Sequence, residues 1–227
     1  MSALPSQSRY IIGTEACERF SFYGMKSILM LYMTGHLLMS DNWSTSTLHI
    51  FVAMVYLLPL AGAWLADKVW GRYKTILYIS LLYCVGHGVL ATADLSHTIE
   101  ARRYILMAGL FIIALGAGGI KPCVSAFMGD QIPNKSPQLM TKAFNAFYWA
   151  INLGSFFSFL VIPAMEQRYG YSWAFAVPGL FMGVATFVFW LGRKNYHKTP
   201  PARNSGQPGF WKVLFIILFH GGWKNAE

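Results

Sequence analysis

The sequence predicts an all-α membrane domain, a six-transmembrane-helix bundle. Apolar residues make up 55% of the chain and charged residues only 12%, about half the charged share of a soluble domain. Apolar runs long enough to cross a bilayer, about 20 residues each, recur six times. Basic residues collect in alternate connections, the pattern of loops retained on the inner face of a membrane.

The first run covers 9–37. It carries "TEACERFSFYG" at its start, and charges at Glu15, Glu18 and Arg19 interrupt it where a secretory signal would be unbroken. It is therefore expected to be a retained span. The second run covers 45–66, the third 73–94, the fourth 102–128, the fifth 142–165 and the sixth 171–192. Residues 1–193 are expected to form the bundle, and 194–227 a cytoplasmic linker followed by the start of a further segment. The linker reading rests on "NYHKTPPARNSGQPG", polar and rich in Pro and Gly. "FWKVLFIILF", 210–219, is apolar but too short to span, and reads as an interfacial helix or the beginning of another crossing.

Lys+Arg number 18 against 9 Asp+Glu. With the N-terminus in the cytoplasm, the inner segments hold Arg9, Lys68, Arg72, Lys74, Lys135, Lys142, Arg193, Lys194, Lys198 and Arg203, and the outer loops only Arg102, Arg103 and Arg168. The excess explains orientation, so no nucleic-acid partner is expected: the basic residues form no continuous patch. Cys17, Cys84 and Cys123 fall inside spans at spacings that match no metal motif, and the histidines are scattered. No metal or other cofactor is expected. No catalytic triad or phosphate loop is visible, so no enzyme is expected.

The charges inside spans need a reason, because one charge at mid-bilayer costs ~3 kcal/mol on an insertion scale. At ~100° per residue, Glu15, Glu18, Arg19 and Lys26 share an arc of about 100°, and the rise from Glu15 to Lys26 is ~16 Å. Such a stripe must face protein or a water-filled cavity rather than lipid. A buried salt-bridge network joining helices is one use for it. Burying ion pairs costs desolvation that apolar packing avoids, which disfavours a purely adhesive role. Arg19 could instead hold a carboxylate in a fork, while Glu15 and Glu18 could exchange protons. The fourth span repeats the problem in "ALGAGGIKPCVSAFMGD". Lys121 either faces the same cavity or snorkels to the inner headgroups near Asp130. Pro122 removes a helix hydrogen bond and favours a kink.

The loop "GAWLADKVWGRYKT", 62–75, places Asp67 and Arg72 across a short turn, where they could pair at the inner mouth. It resembles the major facilitator superfamily loop G-x-L-A-D-x-x-G-R. "EACERFSFYGMK" is similar to the E-x-x-E-R-F-x-Y-Y-G signature of the proton-coupled oligopeptide transporters within that superfamily. "FYWAINLGS" resembles their F-Y-x-x-I-N-x-G-S segment, "GIKPCVSAFMGDQ" their Lys-Pro segment and "FVAMVYLLPLAGAWLAD" their second helix. The likeness runs over roughly 1–200, in the family's order and spacing.

That resemblance implies proton-driven symport of di- and tripeptides across the cytoplasmic membrane. Its partners would be peptide, protons, the lipid bilayer and a missing C-terminal six-helix half. It implies that Arg19 and Lys121 hold the peptide carboxylate, and that Tyr23, Tyr56 and Asn152 line the pocket. Glu15 and Glu18 would couple protons with Arg19. Lys26 would pair across the cavity with an acid from the other half, and Asp67 and Arg72 would act in gating. Asn152 could equally make an interhelical hydrogen bond, and Tyr56 could be core packing. Phe22 stands where the family usually has Tyr, Lys26 where Arg is common, and Phe51 in place of another Tyr. These departures bear on substrate preference more than on substrate class. A carrier of another small solute in the same superfamily, and a non-transporting membrane fragment, are the rival readings.

Overall fold

The computed structural model describes residues 4–201. Helix α1 runs Ser8–Leu31 and continues into a π turn at Tyr32–His36. The second span is two helices, α2 (Asp41–Leu57) and α3 (Pro59–Leu65), closed by a second π turn at Ala66–Trp70. Pro59 causes the break, since it offers no N–H to the turn before it and sits at the first position of α3, where none is needed. Then follow α4 (Arg72–Thr92), α5 (Ile99–Asp130), α6 (Pro137–Tyr169) and α7 (Tyr171–Leu191). Helix α5 passes through Pro122 without interruption. Five of the six long units are long and apolar enough to cross a membrane. Helix α1 with its π turn has the length, but charged and polar residues interrupt its apolar run.

The helices outrun the expected spans by several residues at their ends. Arg102, Arg103 and Arg168, expected in outer loops, therefore lie in terminal helical turns. Polar residues are tolerated there because the helices extend past the hydrocarbon zone. Ser40 caps α2 through the Trp43 amide and Thr98 caps α5 through the Ala101 amide. Arg103 donates to the carbonyls of Leu37 and Leu38, tying α5 to the connection after α1. Beside it, Asp94 accepts from Arg102 at 3.1 Å and from His36, whose ring lies against Tyr32 and Tyr171.

Neighbouring helices pack in the order α6, α1, α7, α4, α5, α2/α3, and α1 also meets α5 and α2, which closes the set into a bundle. The apolar stretches of α2/α3 and α6 are the least buried and that of α5 the most. Small residues bring the backbones together. A Cβ on Gly62 would lie 2.6 Å from the Cα of Gly119, so α3 and α5 touch backbone to backbone. A Cβ on Gly154 would strike the Ala16 carbonyl, which sets α6 against α1. Polar ties add direction: Thr14 of α1 donates to the Ala185 carbonyl of α7, and Ser21 meets His87 of α4 at 2.9 Å.

After a 3₁₀ turn at Gly192–Lys194, residues 195–201 have no regular structure. They do not extend freely but lie back across the ends of α4 and α5, with Tyr196 buried among Tyr73, Phe127 and Phe189. The apolar segment 210–219 lies outside the described residues.

Gly62→Ala should lower the unfolding free energy of the detergent-solubilised chain by about 1–3 kcal/mol, because the new methyl meets backbone that cannot yield. Gly88→Ala, where a Cβ meets nothing within 4 Å, should leave thermal unfolding unchanged or slightly improved.

Candidate functional site

The charged stripe of α1 faces the interior. Arg19 Nε lies 3.0 Å from Glu15 Oε1, one helical turn back, and its guanidinium also contacts the Glu18 carboxylate. The Glu18 side chain is 2% exposed and those of Glu15 and Arg19 8%. One guanidinium thus stands between two carboxylates in low-dielectric surroundings, where the attraction is strong and a lone charge would be costly.

Phe22, one turn further along α1, connects this group to the fourth span. Its ring centroid is 5.8 Å from the Arg19 guanidinium carbon and 4.9 Å from Lys121 Nζ. The Tyr56 ring of α2 covers the other approach to Lys121, at 4.8 Å. Lys121 therefore turns towards the α1 stripe between two aromatic faces rather than down to the headgroups at Asp130. It is within electrostatic reach of Arg19, Glu18, Glu15 and Lys26. Tyr23 meets Phe22 edge-on at 5.4 Å and reaches Phe159 of α6 at 6.0 Å.

The structure thus gathers Glu15, Glu18, Arg19, Lys121, Tyr56 and Tyr23 around Phe22. Tyr56 is 70% exposed, so it is not core packing within this chain. Asn152 stands apart. It is exposed, and its side-chain amide donates to the Tyr148 carbonyl one turn back on α6 rather than to another helix. Lys26 is half-buried and makes no salt bridge among the described residues.

The expected Asp67–Arg72 pair is present but loose, and Arg72 has a second, closer partner. The two are 3.8 Å apart, with Asp67 largely exposed, while Arg72 holds both oxygens of Asp130 at 2.7 Å. The π turn over Ala66–Trp70 and the positive φ of Gly71 separate Asp67 from Arg72, which opens α4 beside Asp130, the last residue of α5. Sequence reasoning missed Asp130 as the closer partner of Arg72 and Phe22 as the shared ring. The available signals were an acid closing the fourth span and an aromatic residue on the same arc as the charges.

The family model for the POT family matches residues 73–222. The chain belongs to the POT family. Solute carrier family 15 member 2 of Homo sapiens is 42% identical over 229 residues, covering 95% of this chain and 31% of the relative. Peptide transporter family 1 of Drosophila melanogaster is 42% identical over 209 residues, covering 88% and 28%. Among solved POT structures, the transporter PepTSo is 47% identical with a TM-score of 0.80, covering 88% of this chain and 40% of that one. An auto-inhibited POT family peptide transporter is 43% identical with a TM-score of 0.83, covering 98% and 43%. The chain therefore spans about a third of the length of the curated POT relatives it matches.

Arg19→Met should destabilise the chain by about 3–5 kcal/mol, because it strands two buried carboxylates. Adding Glu18→Gln should return part of that loss. A thermal-unfolding double-mutant cycle measures the coupling, and strict additivity would mean that the pair does not interact.

Proposed function

We propose that residues 1–193 are the N-terminal six-helix half of a proton-driven symporter of di- and tripeptides, set in the cytoplasmic membrane with its N-terminus inside. Relatives similar to this chain include proteins named as peptide transporters. The observation that supports the reading best is the grouping of two cations, Arg19 and Lys121, around Phe22, with two carboxylates already engaged on Arg19. A peptide presents one carboxylate, and a guanidinium receives it in a fork.

The coupling follows from charge exchange. At rest Glu15 and Glu18 occupy Arg19. A proton arriving on either carboxylate neutralises it and frees donors of the guanidinium. The peptide carboxylate takes that place, with Lys121 adding a second charge beside it. When peptide leaves on the inner side, Arg19 recaptures its own carboxylate and the proton is released. No covalent bond is made or broken, so the protein acts as a carrier and not as an enzyme. Tyr23, Tyr56 and Asn152 offer hydroxyl and amide groups to the peptide backbone. Lys26 is left for an acid of the C-terminal six-helix half, and Arg72 with Asp67 and Asp130 forms the inner gate. That second half supplies the other wall of the cavity and the groups for the peptide's amino end.

The depth of burial of the Arg19 group favours a second reading, in which these charges only join helices. Uptake separates the two. In the full-length protein, Arg19→Ala and Lys121→Ala should each cut uptake of a labelled dipeptide at least about tenfold with membrane insertion unchanged. Uptake in the unmutated protein should rise with an inward proton gradient. Indifference to that gradient would favour another kind of carrier, and loss of uptake only in step with loss of folded protein would favour the adhesive role.

A further inference from the structure

The segment after α7 is held by a set of contacts that the transport reading does not use. Gln131, one residue past the end of α5, is only 2% exposed, and its side-chain amide pairs with the backbone of His197 in both directions. Gln131 Nε2 donates to the His197 carbonyl at 3.0 Å, and the His197 amide donates to Gln131 Oε1 at 2.8 Å. The amide group thereby satisfies a piece of irregular backbone that has no helix or sheet to satisfy it. The same Nε2 also donates to the Phe127 carbonyl, which fixes the orientation of the amide.

Neighbouring anchors come from three helices. Tyr196 sits edge-on to Phe127 at 5.1 Å and against Phe189 at 5.2 Å. The Lys198 ammonium lies 4.3 Å from the Tyr73 ring centroid. The Thr199 carbonyl passes so close to Gly71 that an added Cβ there would stand 3.3 Å from it. Thr199 Oγ1 reaches Asp130 Oδ2 at 3.5 Å, the same oxygen that Arg72 holds at 2.7 Å.

We propose that Gln131 is a positioning residue: it straps residues 195–201 across the inner ends of α4 and α5, so that strap and Arg72–Asp130 pair form and release together. The cause is shared geometry. Asp130 and Gln131 are consecutive at the end of α5. One carboxylate holds Arg72 and touches the strap, and the adjacent amide holds the strap backbone. A movement of this helix end that parts Arg72 from Asp130 also misaligns the two hydrogen bonds to His197. The consequence for gating rests on the transport reading, whereas the coupling itself does not.

Limited trypsin cleavage of the full 227-residue chain, followed at the Lys198–Thr199 bond by mass spectrometry, tests the coupling. Cleavage there reports how often the strap is undocked. Gln131→Leu should speed it about tenfold, the effect of losing one to two hydrogen bonds. Gln131→Glu is the isosteric check on folding, and should also speed cleavage, since it keeps the acceptor for the His197 amide but sets an oxygen against the His197 carbonyl. Arg72→Gln, at a residue outside the strap, should speed cleavage severalfold, with helical circular dichroism and melting retained. Equal cleavage in the unmutated chain and Gln131→Leu would overturn the strap. Fast cleavage in the Gln131 variants with an unchanged rate in Arg72→Gln would overturn the coupling and leave a passive tether. Neither result depends on peptide uptake.

Discussion

One guanidinium held between two carboxylates on a helix packed among apolar spans is the constraint on which the rest of this structure depends. Arg19, Glu15 and Glu18 cannot face acyl chains, and so they dictate which side of α1 turns inward. With that side assigned, α1 must be surrounded, and α6 and α7 pack against it while α5 brings Lys121 across. The glycines at 62, 119 and 154 then follow as requirements of close approach. Helix faces are chosen here by where charge can be tolerated, and apolar packing fills in around that choice.

Aromatic rings carry as much of the arrangement as the ion pairs. Phe22 and Tyr56 surround the Lys121 ammonium without neutralising it. A carboxylate in either place would form a closed charge pair. Ring faces attract a cation weakly enough for it to exchange partners. The replacement of a hydroxyl by hydrogen at Phe22, noted as a departure from the family signature, leaves this attraction in place.

Much of this was legible in the sequence because it is written at short range. Six apolar runs, the arc shared by Glu15, Glu18, Arg19 and Lys26, and the signatures around Lys121 and Asn152 all depend on residues within one helix. What escaped depends on contacts between helices. Arg72 and Asp130 are 58 residues apart, and no spacing rule joins them. The nearer acid in sequence, Asp67, does pair with Arg72, but at 3.8 Å it is the looser of two partners. Asn152 shows the converse: its motif was plain, but within this chain its amide is occupied by its own helix. The segment after α7 read as a linker because its composition is polar and rich in Pro and Gly, and composition does not reveal that Gln131 pairs with the backbone at His197.

The network at the opposite end, where Asp94 gathers His36 and Arg102 while Arg103 holds the carbonyls of Leu37 and Leu38, has a mechanical consequence. The helices are cross-braced by charge at both ends of their axes, and touching backbones lock α3 to α5 and α6 to α1. Such a body has little internal give. Any tilting between this unit and a neighbour must be taken up at the seam between them, like a door whose panel is stiff and whose only compliance is at the jamb.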